Sequence, residues 1–372
     1  MKYNIQNHPQ TWIMSVKSLF IFSLFLILSS CASEVGEEVR NKFESPKYAF
    51  GPANKLCVVA DKDLWESNIG DTIRYYFGSA YPILPQPEPF FDLIHFTPDE
   101  LEADPYRREL RAYLFVGDLT DQDSPSCKMI RKDIGSEKVR KANEQSDYHI
   151  TVGKDKWAHG QVLIYLFAQN KLDLVEAIKQ HFPVVTKRFN KADESQYEAA
   201  IYFNGVNNDL KEKLKAKFAI DLRIPSDYFL AIEDEETIWM RKETEFLSSN
   251  IMVHKIPYTD QSQLTKEGLK AIRDRLGKKY VSTEIKNTYM RINDVDLPMM
   301  IQAIELNGNY TVEARGIWDI VNDFMGGPFL GYLVHNAKTN ELLYIDCFIH
   351  APGKKKRNYI QQLEYVVSSL KF

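Results

Sequence analysis

The chain has 372 residues, 44% of them hydrophobic and 12% aromatic, enough for one large domain or two ordinary ones at roughly 100 to 200 residues each. Its formal net charge is −4, and a leader that removes Lys2 and Lys17 makes the remainder more acidic still. That balance gives no support for a nucleic-acid partner, which needs a basic face.

The first element predicted is a leader. Lys17 is followed by an apolar run from Leu19 to Leu28 and then by Leu28-Ser29-Ser30-Cys31, the leucine-small-small-cysteine pattern of a bacterial lipoprotein signal. The run is too short to span a bilayer, which takes roughly 20 apolar residues. Cleavage between Ser30 and Cys31 leaves Cys31 to carry lipid, and several acyl chains on one residue anchor a protein stably where a single chain does not. Met1 to Ile13 are polar and fit this signal badly, so translation is expected to start at Met14, or the first thirteen residues to be dispensable. Ala32 after the cysteine resembles proteins sorted to the outer membrane. The acidic residues Glu34, Glu37 and Glu38 read as a solvated linker or a surface-display tether.

Residues 1–30 are thus a signal peptide and 31–49 a tether. Residues 50–221 are expected to form an N-terminal α/β domain. A strand over Leu56 to Ala60 precedes a helix from Asp63 to Phe77, with Trp65, Ile69, Ile73 and Tyr76 on one face. Four prolines, Pro82, Pro85, Pro87 and Pro89, fix an extended loop. Strands follow at Phe90 to Phe96 and Leu110 to Val116. Asp118 to Gln145 is polar and expected to be mobile. Val162 to Ala168 is a buried strand, and Leu172 to Phe182 and Asp209 to Phe218 have helical spacing. Residues 222–372 are expected to form a second domain, a curved, mainly antiparallel sheet covered by helices. Its strands are Arg223 to Ile232, Thr237 to Arg241, Ile251 to Ile256, Glu284 to Ile292, Met299 to Leu306, Tyr310 to Trp318, Phe329 to His335 and Leu342 to His350. The last two form a hairpin through Ala337-Lys338-Thr339-Asn340, and helices are expected from Leu264 to Leu276 and from Arg357 to Leu370. The fold class is α+β.

With Cys31 committed to lipid, Cys57, Cys127 and Cys347 remain, so at most one disulfide forms. Cys127, in the polar segment, is the one expected to react or pair. No Walker loop, dinucleotide glycine fingerprint, His-Glu-x-x-His or Gly-x-Ser-x-Gly is present. No cofactor, metal or catalytic residue is assigned. The acidic residues around His95 lack the spacing of a calcium loop, and His335 and His350 sit at the two ends of the last hairpin, where the register does not force contact.

Three segments are candidate binding sites. Lys154-Asp155-Lys156-Trp157-Ala158-His159-Gly160-Gln161 puts Trp157 and Gln161 before a buried strand, to line a pocket or to plug a core. In Gly316 to Phe329, the adjacent Gly326 and Gly327 allow a backbone bend with exposed amides, so that Trp318 and Asp323 flank a cleft; a tight turn is the plainer reading. Ala351-Pro352-Gly353-Lys354-Lys355-Lys356-Arg357 sets cations, Lys355 and Lys356 among them, at a helix N-terminus, where they are electrostatically unfavourable; an anionic surface or a solvated turn accounts for them.

With Leu28-Ser29-Ser30-Cys31, the first and last of these segments and Phe324-Met325-Gly326-Gly327-Pro328-Phe329 make the chain resemble an uncharacterised family of Bacteroidota lipoproteins, a domain of unknown function. The resemblance implies an outer-membrane lipoprotein and brings no catalytic residue. By fold analogy the second half is similar to the curved sheets of lipoprotein and photosystem extrinsic subunits that act as binding or assembly modules. The function expected is a non-enzymatic, lipid-anchored module that binds an envelope protein or glycan. The alternative is an envelope hydrolase or transferase acting on glycan or peptide, which would show two carboxylates facing each other in a cleft.

Overall fold

Short apolar runs build the first sheet. In order these elements are β1 (Lys55–Val59), α1 (Lys62–Trp65), α2 (Asn68–Phe77), β2 (Asp92–Phe96), α3 (Pro98–Ala103), β3 (Ala112–Asp118), α4 (Pro125–Glu144), β4 (Ile150–Lys154), β5 (Val162–Ala168) and α5 (Lys171–Ile201). They come from a computed structural model that describes residues 47–336 and 339–372. Ser30, Cys31 and residues 31–46 of the tether lie outside the described residues, as do Ala337 and Lys338 of the last hairpin turn.

The sheet runs β2-β1-β3-β5-β4, parallel throughout except for β4, which pairs antiparallel with β5 at the edge. Strand residues alternate between two cores. Leu56, Val58, Leu114 and Ile164 meet α2 and α5 on one face. Cys57, Tyr113, Phe115 and Phe167 meet α4 on the other.

Two differences from the sequence reading stand out. The segment expected to be mobile holds α4, capped by Ser124 and kinked at Gly135, and its Cys127 is wholly buried, not set in a loop. Cys57, Cys127 and Cys347 are all free and buried. Burial pushes the Cys57 thiol up to about 12 and raises the other two, so Cys127 is not placed to react. The helix expected to stop at Phe182 continues through Pro183 to Ile201, because Val185, Phe189 and Tyr197 keep its apolar stripe on the core.

The second half begins with α6 (Asn208–Phe218), and its sheet contains β6 (Phe229–Glu233), β7 (Thr237–Glu243), β8 (Ser248–Pro257), β9 (Tyr289–Asn293), β10 (Met300–Leu306), β11 (Asn309–Val321), β12 (Gly326–Asn336) and β13 (Glu341–His350). α7 (Lys266–Tyr280) interrupts the strands and α8 (Arg357–Ser368) follows them. The order is β10-β11-β12-β13-β8-β7-β6, with β9 also on β11, antiparallel at every pairing. It is a curled half-barrel, so the fold is α+β: a mixed sheet with helices, then an antiparallel sheet with helices. One face buries Ile251, Val253, Ile345 and Cys347 under α6 and α8. The other buries Trp239, Met252, Trp318 and Phe348 under Leu269, Ile272 and Leu276 of α7.

Polar groups join the two halves within the single compact unit Ala49–Phe372. Asn54 and Gln361 of α8 exchange side-chain hydrogen bonds of 2.7 and 3.0 Å. The Asn54 backbone donates to Asp193 of α5 at 2.7 Å. Glu88 accepts from the backbone N–H groups of Lys356 and Arg357, so a carboxylate from the first half caps the helix of the second.

Candidate functional site

The cleft with the most convergent chemistry opens at one end of the half-barrel, on its α7 face. It has a volume of about 560 Å³. The registers explain its composition. Asn250 of β8 lies opposite Phe348 of β13, and Ser248 opposite His350. Trp239 of β7 pairs with Met252, and Trp318 of β11 pairs with Gly327. Three strands thus deliver Trp239, Phe348 and Trp318 to one floor. Phe348 stands edge-on to Trp318 at 5.7 Å between ring centres and 6.1 Å from Trp239.

Polar groups sit around that floor. The Trp239 indole donates to Asn250 Oδ1 at 3.1 Å, and Asn250 Nδ2 donates to Ser248 Oγ and to the Phe348 carbonyl. His350 Nδ1 lies 3.1 Å from the Gly326 carbonyl; donation there leaves Nε2 as an acceptor. The Arg241 guanidinium stands over Trp239 at 5.3 Å. The loop after α7 adds Ser282, Thr283 and Glu284. The tips at this end carry exposed apolar side chains, Phe246, Ile285 and Phe324, and Lys354 stacks over Phe246 at 4.0 Å.

Deeper on the same face lies a buried ion pair. Arg273 of α7 donates from Nε to Asp346 Oδ1 of β13 at 3.0 Å, with both side chains shut off from solvent. The guanidinium rests on the Phe329 ring at 3.8 Å. Among the described residues, Arg273 Nη1, Asp346 Oδ2 and the Tyr344 hydroxyl have no hydrogen-bond partner. Burial raises the Asp346 carboxyl while Arg273 opposes that rise. A polar chain runs nearby from His254 Nδ1 to Thr237 Oγ1 at 2.9 Å, on to Tyr280 at 2.7 Å, and from Tyr280 to Asp234. Burial would raise Asp234, but hydrogen bonds from Tyr280 and from Glu236 and Thr237 outweigh it and hold the carboxyl low. Burial holds His254 below its ordinary value.

A second cavity of about 310 Å³ lies on the α8 face, between Tyr81, Phe90 and Asn190 of the first half and Met300, Gln302, Glu313, Arg315 and Glu364 of the second. Arg315 binds Glu313 at 2.6 Å and Glu364 at 2.5 Å. The two carboxylates share one guanidinium and do not confront each other across open space.

The residues singled out from sequence fall in separate places. Trp318 lines the large cleft; Asp323 does not, being half-buried on the β11–β12 turn with its carboxylate accepting from the Phe324 N–H. Gly326 and Gly327 form no bend: they start β12, and neither has a positive φ. Their purpose is close approach, since a Cβ on Gly327 would lie 2.0 Å from the Ile349 carbonyl oxygen and one on Gly326 would lie 2.8 Å from that of Trp318. Gln161 is buried with its amide satisfied: Oε1 accepts from Trp157 and Ala158, and Nε2 donates to the carbonyls of Arg108 and Leu110. Trp157 packs edge-on against Tyr113 at the end of the first core. Lys355 is exposed, whereas Lys356 is buried with its ammonium on the Lys354 carbonyl. Arg357 is buried on Asp92 at 2.7 Å. His335 pairs with Leu342 near the hairpin turn and His350 with Ser248 at the far end, so the hairpin holds them apart. Trp239 and Phe348 lie inside expected strands and Asn250 just before one, since β8 begins at Ser248 rather than Ile251, and only the register reveals that the three share a cleft.

Among the described residues, no three His, Cys, Asp or Glu side chains are grouped to hold a metal ion, and no helix is long and apolar enough to cross a membrane. No curated protein matches the chain. Among solved structures it is similar to the Ran-binding protein Mog1p of Saccharomyces cerevisiae, at 16% identity over 41% of this chain and 89% of that one, with a TM-score of 0.27. It is also similar to the human StarD13 lipid transfer and protein localization domain, at 12% identity over 44% of this chain and 92% of that one, with a TM-score of 0.20. Residues 49–201 match the family model described as Domain of unknown function (DUF8532), and residues 207–369 the one described as Domain of unknown function (DUF4837). The chain therefore joins two domains of unknown function.

Proposed function

We propose that this protein is a non-catalytic binding module of the bacterial cell envelope, anchored to the outer membrane through lipid on Cys31, and that its cleft holds a sugar ring of an envelope glycan. The observation that carries this reading is the cleft floor, where the nearly buried rings of Trp239, Trp318 and Phe348 show only their edges, beneath a rim of Ser248, Asn250, Ser282, Thr283 and Glu284. A sugar presents C–H faces that lie on aromatic rings and hydroxyl edges that bond to amides, hydroxyls and carboxylates. The anchor rests on Leu28-Ser29-Ser30-Cys31 and Ala32.

The geometry offers little to a hydrolase. Ser248 Oγ donates to Glu243 at 2.9 Å and not to the imidazole of its cross-strand neighbour His350, so the bond between nucleophile and base is missing. Glu313 and Glu364 are both taken up by Arg315.

The test is a titration of the protein with soluble fragments of envelope glycans, followed by tryptophan fluorescence. A saturable change that is weakened in Trp239→Phe supports the reading. No change with any glycan fragment refutes it. The anchor is tested separately by acyl labelling and membrane fractionation of wild type and Cys31→Ala, with protease shaving of intact cells to find the exposed face. An unlabelled wild type, or a Cys31→Ala protein that still sediments with membrane, refutes the anchor.

A further inference from the structure

A different surface, at the free edge of the second sheet, is built to receive a strand. Asn307 and Gly308 both have positive φ, 48° and 84°, and close β10 and β11 as a two-residue hairpin of type I′. Leu306 and Asn309 are the closing pair, and such a pair exchanges both of its backbone hydrogen bonds. The ladder then alternates. Met300, Gln302, Ile304 and Leu306 turn their N–H and C=O groups to β11, while Ile301, Ala303 and Glu305 turn theirs outward. Among the described residues, none bonds to those outward groups.

Natural edges are protected by lysine, proline, a bulge or a covering element. β10 has none of the first three. Its register with β11 is unbroken from Met300 to Leu306, its one charged residue is Glu305, and Met300 and Ile301 are exposed.

Beside this edge lies the 310 Å³ cavity. Gln302 points to it, donating to Glu313 Oε1 at 2.9 Å, so a side chain opposite Gln302 on an added strand would project to the same side. The cavity has more acceptors than donors. Arg315 answers two carboxylates, Glu313 and Glu364, which leaves one negative charge. The Tyr81 hydroxyl spends its proton on Glu364 at 2.7 Å, and among the described residues the buried Oδ1 of Asn190 has no hydrogen-bond partner.

We propose that the outer edge of β10 takes an extended segment of another protein as an added strand, with a lysine or arginine of that segment seated in the Glu313–Glu364 cavity. Backbone pairing supplies affinity and the cavity supplies selection. The proposal goes beyond the glycan reading and does not depend on it.

The test uses the full chain and a short synthetic peptide of alternating valine and threonine with one central lysine, alongside the same peptide with glutamate in its place. The lysine peptide should bind roughly tenfold more tightly, as expected for one charge-assisted contact, and should slow amide exchange at Ile301, Ala303 and Glu305. Ala303→Pro removes an outward N–H and spares the ladder to β11, so it should abolish binding. Glu364→Gln should erase the preference for lysine. Equal binding of the two peptides, undiminished binding by Ala303→Pro, or unchanged exchange at the three amides overturns the proposal. So does protection of those amides before peptide is added. Protection that persists on dilution would assign the edge to this chain's own residues, and protection that depends on concentration would assign it to a second copy.

Discussion

Asp346→Ala should be among the most destabilising single changes in the second half. The carboxylate makes the one strong hydrogen bond to Arg273, at 3.0 Å. The guanidinium otherwise meets Met290 Sδ at 3.7 Å and the Phe329 and Phe348 rings, and among the described residues Nη1 has no hydrogen-bond partner. Removing Asp346 leaves a buried cation without an anion, which costs about 3–5 kcal/mol. For the roughly 320 residues of the compact unit, unfolding entropy near 2.1 cal/mol/K per residue makes each kcal/mol worth about 1.5 °C, so the melting temperature should fall by about 6 °C. The double variant Arg273→Met with Asp346→Leu should recover most of that loss, because well-packed apolar replacements of a buried pair are often neutral or better. Calorimetry and urea unfolding of wild type, single and double variants decide it. A single variant that loses less than about 2 °C, or a double variant no better than the single, would show that the pair is not a dry, isolated charge pair as argued.

Glu88→Gln should cost about 1–3 kcal/mol by weakening the cap on two buried backbone donors of α8, read as a shift in the urea midpoint; an unchanged midpoint removes Glu88 from the joint. Gly327→Ala should cost about 1–3 kcal/mol or more because the Ile349 carbonyl must move, whereas Gly353→Ala, with φ 70° and open space around it, should cost about 1–2 kcal/mol from backbone strain alone; equal losses would argue against close approach at Gly327. Burial lowers the folded-state values of His254 and His181, so the unfolded chain takes up protons first. Their contribution to stability is therefore full above about pH 6.5 and is lost as pH falls below it. His254→Gln should flatten that decline in melting temperature between pH 7 and 5, and an unaltered slope would count against the assignment.

Legibility in the sequence followed the strength of local pattern. Val162–Ala168 is a continuous apolar run, the β12–β13 hairpin joins two strands rich in apolar and aromatic residues, and α8 repeats Ile360, Leu363, Val366 and Val367 on one face; each could be placed from its local pattern. α4 could not, because Gly135 breaks it in the middle and its charged residues hide a stripe made of Cys127, Met129, Ile130 and Ile134. β4 is a five-residue edge strand, Ile-Thr-Val-Gly-Lys, too short and mixed to stand out. The cleft was half legible. Trp318 was visible as an aromatic next to unusual glycines, but its neighbours Trp239 and Phe348 meet it only through strand register, which a single sequence does not display. The basic run before α8 looked like surface chemistry because its answering carboxylates, Glu88 and Asp92, lie far back in the chain.

That remoteness bears on how the molecule reaches its final state. The Asn54–Gln361 exchange spans 307 residues, and the Glu88 cap is nearly as distant. Contacts of such separation repay loop closure late, so each sheet should gather its own helices before the two halves lock. The closing contacts are hydrogen bonds of fixed direction, which tolerate one docking angle and penalise others. Refolding should therefore end in a slow step that is sensitive to Asn54 and Gln361 and indifferent to substitutions inside either sheet.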